Sequence, residues 1–341
     1  MLHFLPKLPQ WMDELEDPRA RPEACTYSMR EIVMLALLML CTQCGSRRQL
    51  DRTTLRERFL LNFRVLLDDE EAAVTCADNM NRVLTMTRVA ELEELAVRCT
   101  RALNKSKVLR KFKCDGMLVV AVDGTQMLTF NSRHCEHCLT RTLSNGKTQY
   151  YHYVLAAKIV TPVGLVLPAA FEFVENPGGE FDKQDCETKA FKRMAPRLAK
   201  LFKGFDNVWI TDLKPNRHNA MALAKAGRMR WKIENEGINT QKNGGYEMEH
   251  GYGVRGNAWK NYYLLMQIAQ TLNDLYRLGD LPAKLAGDLR STFAVLYGSV
   301  RNFAQRLMES LRNDTIDPES GPDPGSIQIR LPDPPLALML N

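Results

Sequence analysis

The chain changes character near residue 117, from a long stretch with helical periodicity to short runs typical of β-strands. Residues 117–122 are apolar and rich in β-branched side chains, and Asp123-Gly124-Thr125 follows them directly. Two similar runs, 150–160 and 164–174, are separated by the turn signal Thr161-Pro162-Val163-Gly164, which predicts a β-hairpin. A sheet buries at least one face against other elements, so we expect the neighbouring helices to cover it.

Helical periodicity dominates the rest of the chain. Before the strands, helices are predicted over 26–44, 47–67 and 77–103. After the hairpin, they are predicted over 183–202, 219–226, 230–242, 257–278 and 282–311, with a short strand, 207–211, that ends at Asp212. Strand, hairpin, helix, strand and helices in this order predict an α/β fold whose sheet has one antiparallel section.

These patterns divide the chain into consecutive regions. Residues 1–113 form a helical N-terminal region, 114–256 contain the strands, and 257–312 form C-terminal helices. Residues 313–341 are rich in Pro, Asp and Gly, a composition that predicts a disordered tail.

Composition limits the classes of partner. The net charge is +6 and the pI is about 8.8, a basic balance that suits nucleic acid without requiring it. The longest apolar run, 32–41, is about half of the roughly 20 residues that a membrane-spanning helix needs. The 9 cysteines form an odd set and no secretory leader is visible, so reduced thiols in a cytoplasm are expected.

Asp123 is the first candidate functional residue. A carboxylate at the end of a buried strand can be held rigidly while it still reaches solvent. Asp-Gly is also a common turn dipeptide, so an ordinary turn aspartate is the alternative.

Two blocks of sequence carry a family resemblance. Val120-Ala121-Val122-Asp123-Gly124-Thr125 resembles the first catalytic block of bacterial insertion-sequence DDE transposases. Residues 228–242 resemble the last block, an Arg-x-x-x-Glu helix followed by a lysine. Arg230 and Glu234 match it, and Lys242 lies one position beyond the commonest spacing. Residues 134–138, 151–152 and 183–187 are similar to one branch of the family, and the resemblance extends over residues 20–280.

The resemblance implies both a fold and a chemistry. It implies an RNase H-like mixed sheet with flanking helices in 114–256, shortened relative to the family, and an N-terminal region that contacts transposon ends. It implies hydrolysis of a phosphodiester at the transposon end, followed by strand transfer into target DNA, with two Mg²⁺ ions as cofactor. The expected partners are transposon-end and target DNA and further copies of the chain, near the nucleoid and away from membranes.

The same resemblance assigns residues. Asp123, Asp212 and Glu234 are the expected metal-binding catalytic carboxylates, and Arg230, Lys232 and Lys242 the expected DNA contacts. Arg230 lies one helical turn before Glu234, on the same face. Trp231 is expected in the core.

The second aspartate departs from the family pattern. The usual Asp-x-Leu-Tyr-Ala block and the long insertion before the Glu helix are missing, and Glu234 follows Asp212 closely. Either Asp212 takes over the vacant position, or an internal deletion removed the second catalytic aspartate. The deletion explains the missing motif and the short length together, and it predicts an inactive relative that still binds transposon ends. An RNase H-like nuclease without a role in transposition is a further alternative.

A cluster of His and Cys residues stands apart from these blocks. His134, Cys135, His137 and Cys138 lie close together, with His152 and Cys186 as possible distant partners. Cys-x-x-Cys is half of a common zinc pattern, but no second pair completes it, so reduced thiols near a strand edge are the alternative.

Two basic segments are candidates for contact with DNA. Residues 104–113 carry several lysines and arginines, which form either a solvated face or a phosphate contact. Arg47 and Arg48 begin a predicted helix and could touch terminal-repeat DNA.

Overall fold

The protein is described by a computed structural model, which covers residues 3–113, 117–132, 134–201, 216–217, 220–287, 292–317 and 329–334. It divides into two compact units. The helical unit comprises Met1–Arg110, Asn243–Glu247 and Tyr252–Asp333, and the sheet unit comprises Lys111–Lys242, Met248–Gly251 and Pro334–Asn341. The helical segments at the two ends of the chain therefore belong to one unit.

Six helices occupy the first part of the chain. They are α1 (Leu8–Asp13), α2 (Met29–Cys41), α3 (Arg47–Thr54), α4 (Glu57–Leu67), α5 (Ala77–Met86) and α6 (Val89–Lys105). Helix α2 begins at a capping box: the Ser28 hydroxyl accepts from the Glu31 amide, and the Glu31 carboxylate accepts from the Ser28 amide. Its apolar run 32–41 is buried throughout, as expected for a central helix.

The described strands form an antiparallel sheet. They are β1 (Val119–Phe130), β2 (Leu139–Thr142), β3 (Thr148–Val160) and β4 (Val166–Val174). Strand β3 pairs with β1 along one edge, and with β2 and β4 at successive parts of the other. The predicted hairpin is confirmed as β3–β4. Its turn closes where the Gly164 amide donates to the Thr161 carbonyl, with Gly164 at a φ of +85°.

Short helices follow the sheet. Helix α7 (Glu187–Leu201) packs against β3 and β4. The sequence spaces Ala190, Phe191, Met194, Leu198 and Leu201 along one helical face; of these, Ala190, Met194 and Leu198 are buried and Phe191 is half-buried. Helix α8 (Ala220–Met229) is followed by the π-helical turn Ile233–Ile238 and by α9 (Asn239–Asn243). The predicted helix over 230–242 is thus a composite, in which a π-helical turn widens the backbone around Glu234.

The C-terminal helices complete the helical unit. They are α10 (Ala258–Leu278), α11 (Leu281–Leu285), α12 (Phe293–Tyr297) and α13 (Val300–Asn313). Helix α10 packs against α2, α5 and α6, and α13 packs against α4. Nearly all of α10 is buried, and its polar residues Asn261, Gln267 and Asn273 donate hydrogen bonds to backbone carbonyls. Among the described residues, no helix is both long and apolar enough to cross a membrane.

Three predicted helices are interrupted. The 47–67 helix breaks at Leu55-Arg56, and the 282–311 helix is divided into α11, α12 and α13. The 77–103 helix breaks after Met86 because α10 supplies partners for the carbonyls that are freed there. The Asn261 amide donates to the carbonyls of Leu84 and Thr87, at 2.8 Å each. A partner so distant in sequence leaves no local signal for this break.

The C-terminal tail is described only in part. The predicted disordered segment 313–341 includes residues 318–328 and 335–341, which lie outside the described residues. Within the part that is described, Leu331 is buried and the Arg330 carbonyl accepts a hydrogen bond from the Asp280 amide, at 3.1 Å. A short piece of the tail therefore packs on the helical unit.

We expect Asn261→Ala to destabilise the helical unit strongly. The substitution leaves two buried carbonyls with one partner fewer, and each lost hydrogen bond in such a place costs about 1–2 kcal/mol. Chemical denaturation followed by circular dichroism measures the change. Asn302→Ala, on the exposed side of α13, is the control and should shift stability by less than about 0.5 kcal/mol. Equal effects of the two substitutions would contradict the structural role of Asn261.

Candidate active site

Asp123 lies inside a strand. The sequence predicts it at a strand end, but β1 continues through Gly124 to Phe130, and Asp123 is paired with Ala156 of β3. The expectation of a strand-terminal turn is therefore wrong. An Asp-Gly pair can continue a strand where a neighbouring strand supplies the hydrogen-bonding partners, and β3 does so here. The position still leaves the Asp123 side chain only partly buried.

One face of the sheet carries both Asp123 and the π-helical turn. Because side chains alternate along a strand, Asp123 shares its face of β1 with Ala121. Ala121 packs with Val160, Val166, Met229 and Ile233 in a small buried cluster. Ile233 immediately precedes Glu234, so this cluster brings the carboxylates of Asp123 and Glu234 to the same side of the sheet.

The electrostatic environment of Asp123 reflects that proximity. Burial raises the pKa of Asp123, and hydrogen bonding by the Gly124 amide opposes this rise. The negative charge of Glu234 raises the pKa further, the positive charge of Arg230 lowers it, and the negative charge of Glu187 raises it. Residues from two distant parts of the chain, Glu187 and the segment with Arg230 and Glu234, therefore act on one carboxylate.

At Gly124, two side chains, Tyr153 and Glu187, come close to the backbone of β1. A Cβ atom at this position would overlap the Tyr153 hydroxyl and lie 2.7 Å from Oε1 of Glu187. The Tyr153 hydroxyl donates a hydrogen bond to the Glu187 carboxylate, and burial, followed by this hydrogen bond, raises the pKa of Tyr153. Tyr153 thus remains a donor that orients Glu187, the first residue of α7, beside β1.

Glu187 is the residue that sequence reasoning missed. It belongs to the block Lys183-Gln184-Asp185-Cys186-Glu187, which the family resemblance singles out without giving it a role. Its exposed carboxylate lies next to Gly124, which faces away from Asp123 on the alternating strand β1, so Glu187 acts on Asp123 from the other face of the sheet. Asp212, the predicted second carboxylate, lies outside the described residues, so its assignment stays a prediction.

The basic residues of the predicted site have different surroundings. Arg230 is exposed, with its guanidinium 5.1 Å from the centre of the Trp231 ring. Lys232 forms an ion pair with Glu236 at 2.7 Å, and Lys242 forms one with Glu249 at 2.9 Å.

Trp231 lies at the surface, contrary to the prediction from the sequence. It is 58% exposed, so the expectation that it lies in the core is wrong. Met229 and Ile233, two residues away on either side, face the sheet instead. A residue two positions from each of them must point in nearly the opposite direction on a helical turn.

The basic segments suggested as DNA contacts are solvent-facing in part. Lys105, Lys107, Arg110 and Lys111 are exposed. In the helical unit, Arg47 pairs with Asp78 at 2.6 Å, whereas Arg48 is exposed at the start of α3.

Comparison with protein-family models, curated proteins and solved structures finds no match for this chain.

Proposed function

We propose that this chain is a DDE-type transposase, which cleaves DNA at the ends of an insertion sequence and transfers the strand to target DNA. The observation that supports this most directly is the action of Glu234 and Arg230 on Asp123. These are the residues on which the family resemblance depends, and they come from two separate blocks of sequence.

The carboxylates suit the expected magnesium. Mg²⁺ prefers a few carboxylate oxygens together with water and phosphate oxygens. Asp123 is partly buried and Glu234 is exposed on the same side of the sheet, so these two carboxylates offer oxygen ligands where a DNA phosphate can approach. Burial, and after it the negative charge of Glu234, raises the pKa of Asp123, and a divalent cation bound near these carboxylates would offset the repulsion between them. When bound, two Mg²⁺ ions would activate the attacking oxygen and stabilise the leaving oxygen.

The protein's own residues supply rigidity and charge. Asp123 is fixed in a paired strand, and Glu234 is fixed by Ile233 in the cluster beneath the π-helical turn. The Arg230 guanidinium can donate two parallel hydrogen bonds to a phosphate. Lys232 and Lys242 would exchange their present ion pairs for contacts with the DNA backbone.

The RNase H-like fold belongs to the same proposal. Strand β1, with Asp123 on it, lies at an edge of the described sheet, next to β3. The predicted strand 207–211 would extend a mixed sheet, and it lies outside the described residues.

A second candidate function rests on the missing Asp-x-Leu-Tyr block. If neither Asp212 nor Glu187 provides the third carboxylate, the chain is an inactive, internally deleted relative that binds transposon ends. Loss of one ligand from a two-metal site removes most catalysis, because the ion positions depend on ligand number and geometry.

The test uses the full chain with labelled DNA duplexes taken from both sides of its coding sequence. A scrambled duplex of the same composition is the reference. Gel shifts measure binding, and denaturing gels measure cleavage with and without Mg²⁺. We expect preferential binding to a flanking duplex and Mg²⁺-dependent nicking at a defined position. Equal binding to flanking and scrambled duplexes, without cleavage, would contradict both candidate functions.

Two variants then identify the third carboxylate. If cleavage is lost in Asp212→Asn but kept in Glu187→Gln, Asp212 has taken over the vacant position. The reverse result assigns that position to Glu187. Specific binding without cleavage by the wild-type chain supports the inactive relative.

A further inference from the structure

A second group of potential metal ligands lies in the sheet unit, among residues that the proposed function does not use. Cys135 and Cys138 flank a turn just before β2, and His152 lies in β3. The two sulfurs are 3.6 Å apart, and Nε2 of His152 lies 3.7 Å from Sγ of Cys135 and 3.8 Å from Sγ of Cys138. Three ligand atoms thus form a nearly equilateral triangle.

We propose that Cys135, Cys138 and His152 bind a zinc ion, with solvent at its fourth position. In a tetrahedral site with Zn–S near 2.3 Å and Zn–N near 2.0–2.1 Å, two sulfurs are separated by about 3.8 Å and a sulfur and a nitrogen by about 3.5 Å. The observed triangle agrees with those separations to within a few tenths of an ångström. Two thiolates and one imidazole are also the ligand types that zinc prefers.

The turn that carries the cysteines is held independently of any metal. The Cys138 amide donates to the Cys135 carbonyl at 3.3 Å, which folds the two sulfurs towards each other. The side-chain amide of the buried Asn176 donates to the Cys138 carbonyl at 2.8 Å. The backbone amide of Asn176 donates to the His137 carbonyl at 3.1 Å. Such outer contacts orient the ligands before the ion arrives.

His134 and His137, the histidines nearest in sequence to Cys135 and Cys138, make other contacts. His134 stacks on Tyr150, with ring centres 3.5 Å apart. Nδ1 of His137 lies 2.9 Å from the Asn176 carbonyl, and its Nε2 lies 3.7 Å from the Glu136 carboxylate. His152 is only 2% exposed, and the Phe130 ring packs edge-on against its imidazole. The buried His152, and neither neighbour, therefore faces the two sulfurs.

The fourth position is open to solvent. Within the described part of the chain, no further His, Cys, Asp or Glu atom joins the three ligands. Cys135 is exposed while Cys138 and His152 are buried, so the open corner lies on the Cys135 side. A zinc ion here would tie the turn before β2 to β3, which is the stabilising role of structural zinc in small β-rich segments.

The experiment measures zinc in the full-length protein, purified under reducing conditions without a metal-affinity column. Elemental analysis should find about one zinc per chain after reconstitution with zinc sulfate and removal of excess metal. Competition with a chromogenic chelator should show at least about a tenfold loss of affinity in Cys135→Ser, because one of three protein ligands is removed. Cys135 is exposed, so this variant is expected to fold.

Matched controls and a spectroscopic readout complete the test. Cys186→Ser removes another exposed cysteine and His137→Ala another histidine of the same segment, and both should bind zinc like the wild type. Cobalt substitution should give thiolate-to-metal charge-transfer absorption in the wild type that weakens in Cys135→Ser. Three results would overturn the proposal: no zinc in the reduced wild type, wild-type affinity in Cys135→Ser, or loss of zinc in Cys186→Ser.

Discussion

Asp123→Asn should abolish Mg²⁺-dependent cleavage and, at neutral pH, stabilise the sheet unit. The amide cannot replace a carboxylate ligand of magnesium, so cleavage should fall by about 10³-fold or more, as for other residues that act as a unit in catalysis. The stabilisation follows from the raised pKa of Asp123, which burial and the charge of Glu234 produce. An uncharged isostere removes both unfavourable contributions.

The pH dependence separates this gain from a general packing effect. Because its pKa is raised, the Asp123 carboxyl binds its proton more tightly in the folded than in the unfolded chain. Its contribution to stability is therefore fully present below the unfolded pKa of about 3.9 and is lost as the pH rises through the folded pKa. Relative to wild type, Asp123→Asn should melt at a higher temperature at pH 7 and show no advantage near pH 3.

Magnesium provides the complementary measurement. Addition of Mg²⁺ should raise the melting temperature of the wild type but leave that of Asp123→Asn unchanged, since only the wild type gains binding energy in the folded state. Asp182→Asn, an exposed carboxylate of the same unit, is the control and should behave like the wild type in every assay. An Mg²⁺-induced shift that survives in Asp123→Asn would show that the ion binds elsewhere.

Ile233→Ala should strongly destabilise the sheet unit. Ile233 is completely buried and packs with Ala121, Val160, Val166 and Met229 beneath the π-helical turn. Truncation of a buried isoleucine to alanine costs about 2–5 kcal/mol, because apolar contact is lost and a cavity remains. The turn also carries Glu234, so the affinity for Mg²⁺ should fall as well.

Trp231→Ala is the matched control for that prediction. It removes a larger side chain from the same turn, but one that is 58% exposed and rests against Arg230. Its cost should stay within about 0.5 kcal/mol, the usual range for surface positions. Chemical denaturation of both variants measures the difference. A larger loss of stability in Trp231→Ala than in Ile233→Ala would show that Trp231 lies in the core and that the described orientation of this turn is wrong.

The β3–β4 hairpin and several helices could be predicted because their signals are local, whereas strand β2 and helix α1 were not predicted. The β3–β4 hairpin has a turn sequence between two apolar runs, and α2 has a capping box before a continuous apolar segment. The apolar periodicity of α7 likewise identified its buried face through Ala190, Met194 and Leu198. In each case the residues that decide the structure lie within a few positions of one another.

The site could be predicted only in part. That Asp123 lies near Arg230 and Glu234 was expected from two blocks of sequence that resemble one family, and their charges act on its pKa. The position of Glu187 close to β1 was not expected, because it depends on the missing side chain of Gly124, which leaves space for Tyr153 and Glu187. The three-residue Cys/His group was recognised in outline, but the choice of His152 over His134 and His137 follows from ring stacking and backbone contacts.

By itself, the sequence determined that the long periodic segments are helical and that the apolar runs around residues 120, 155 and 169 are extended, since these depend on periodicity and on short-range hydrogen bonding. The tertiary structure decided where those segments stop and which side chains meet. Helix α5 ends where Asn261 of α10 donates to its last carbonyls, and β1 continues through Asp123-Gly124 because β3 pairs with it. Such contacts join residues far apart in the chain, and their energies are settled only when the whole fold has formed.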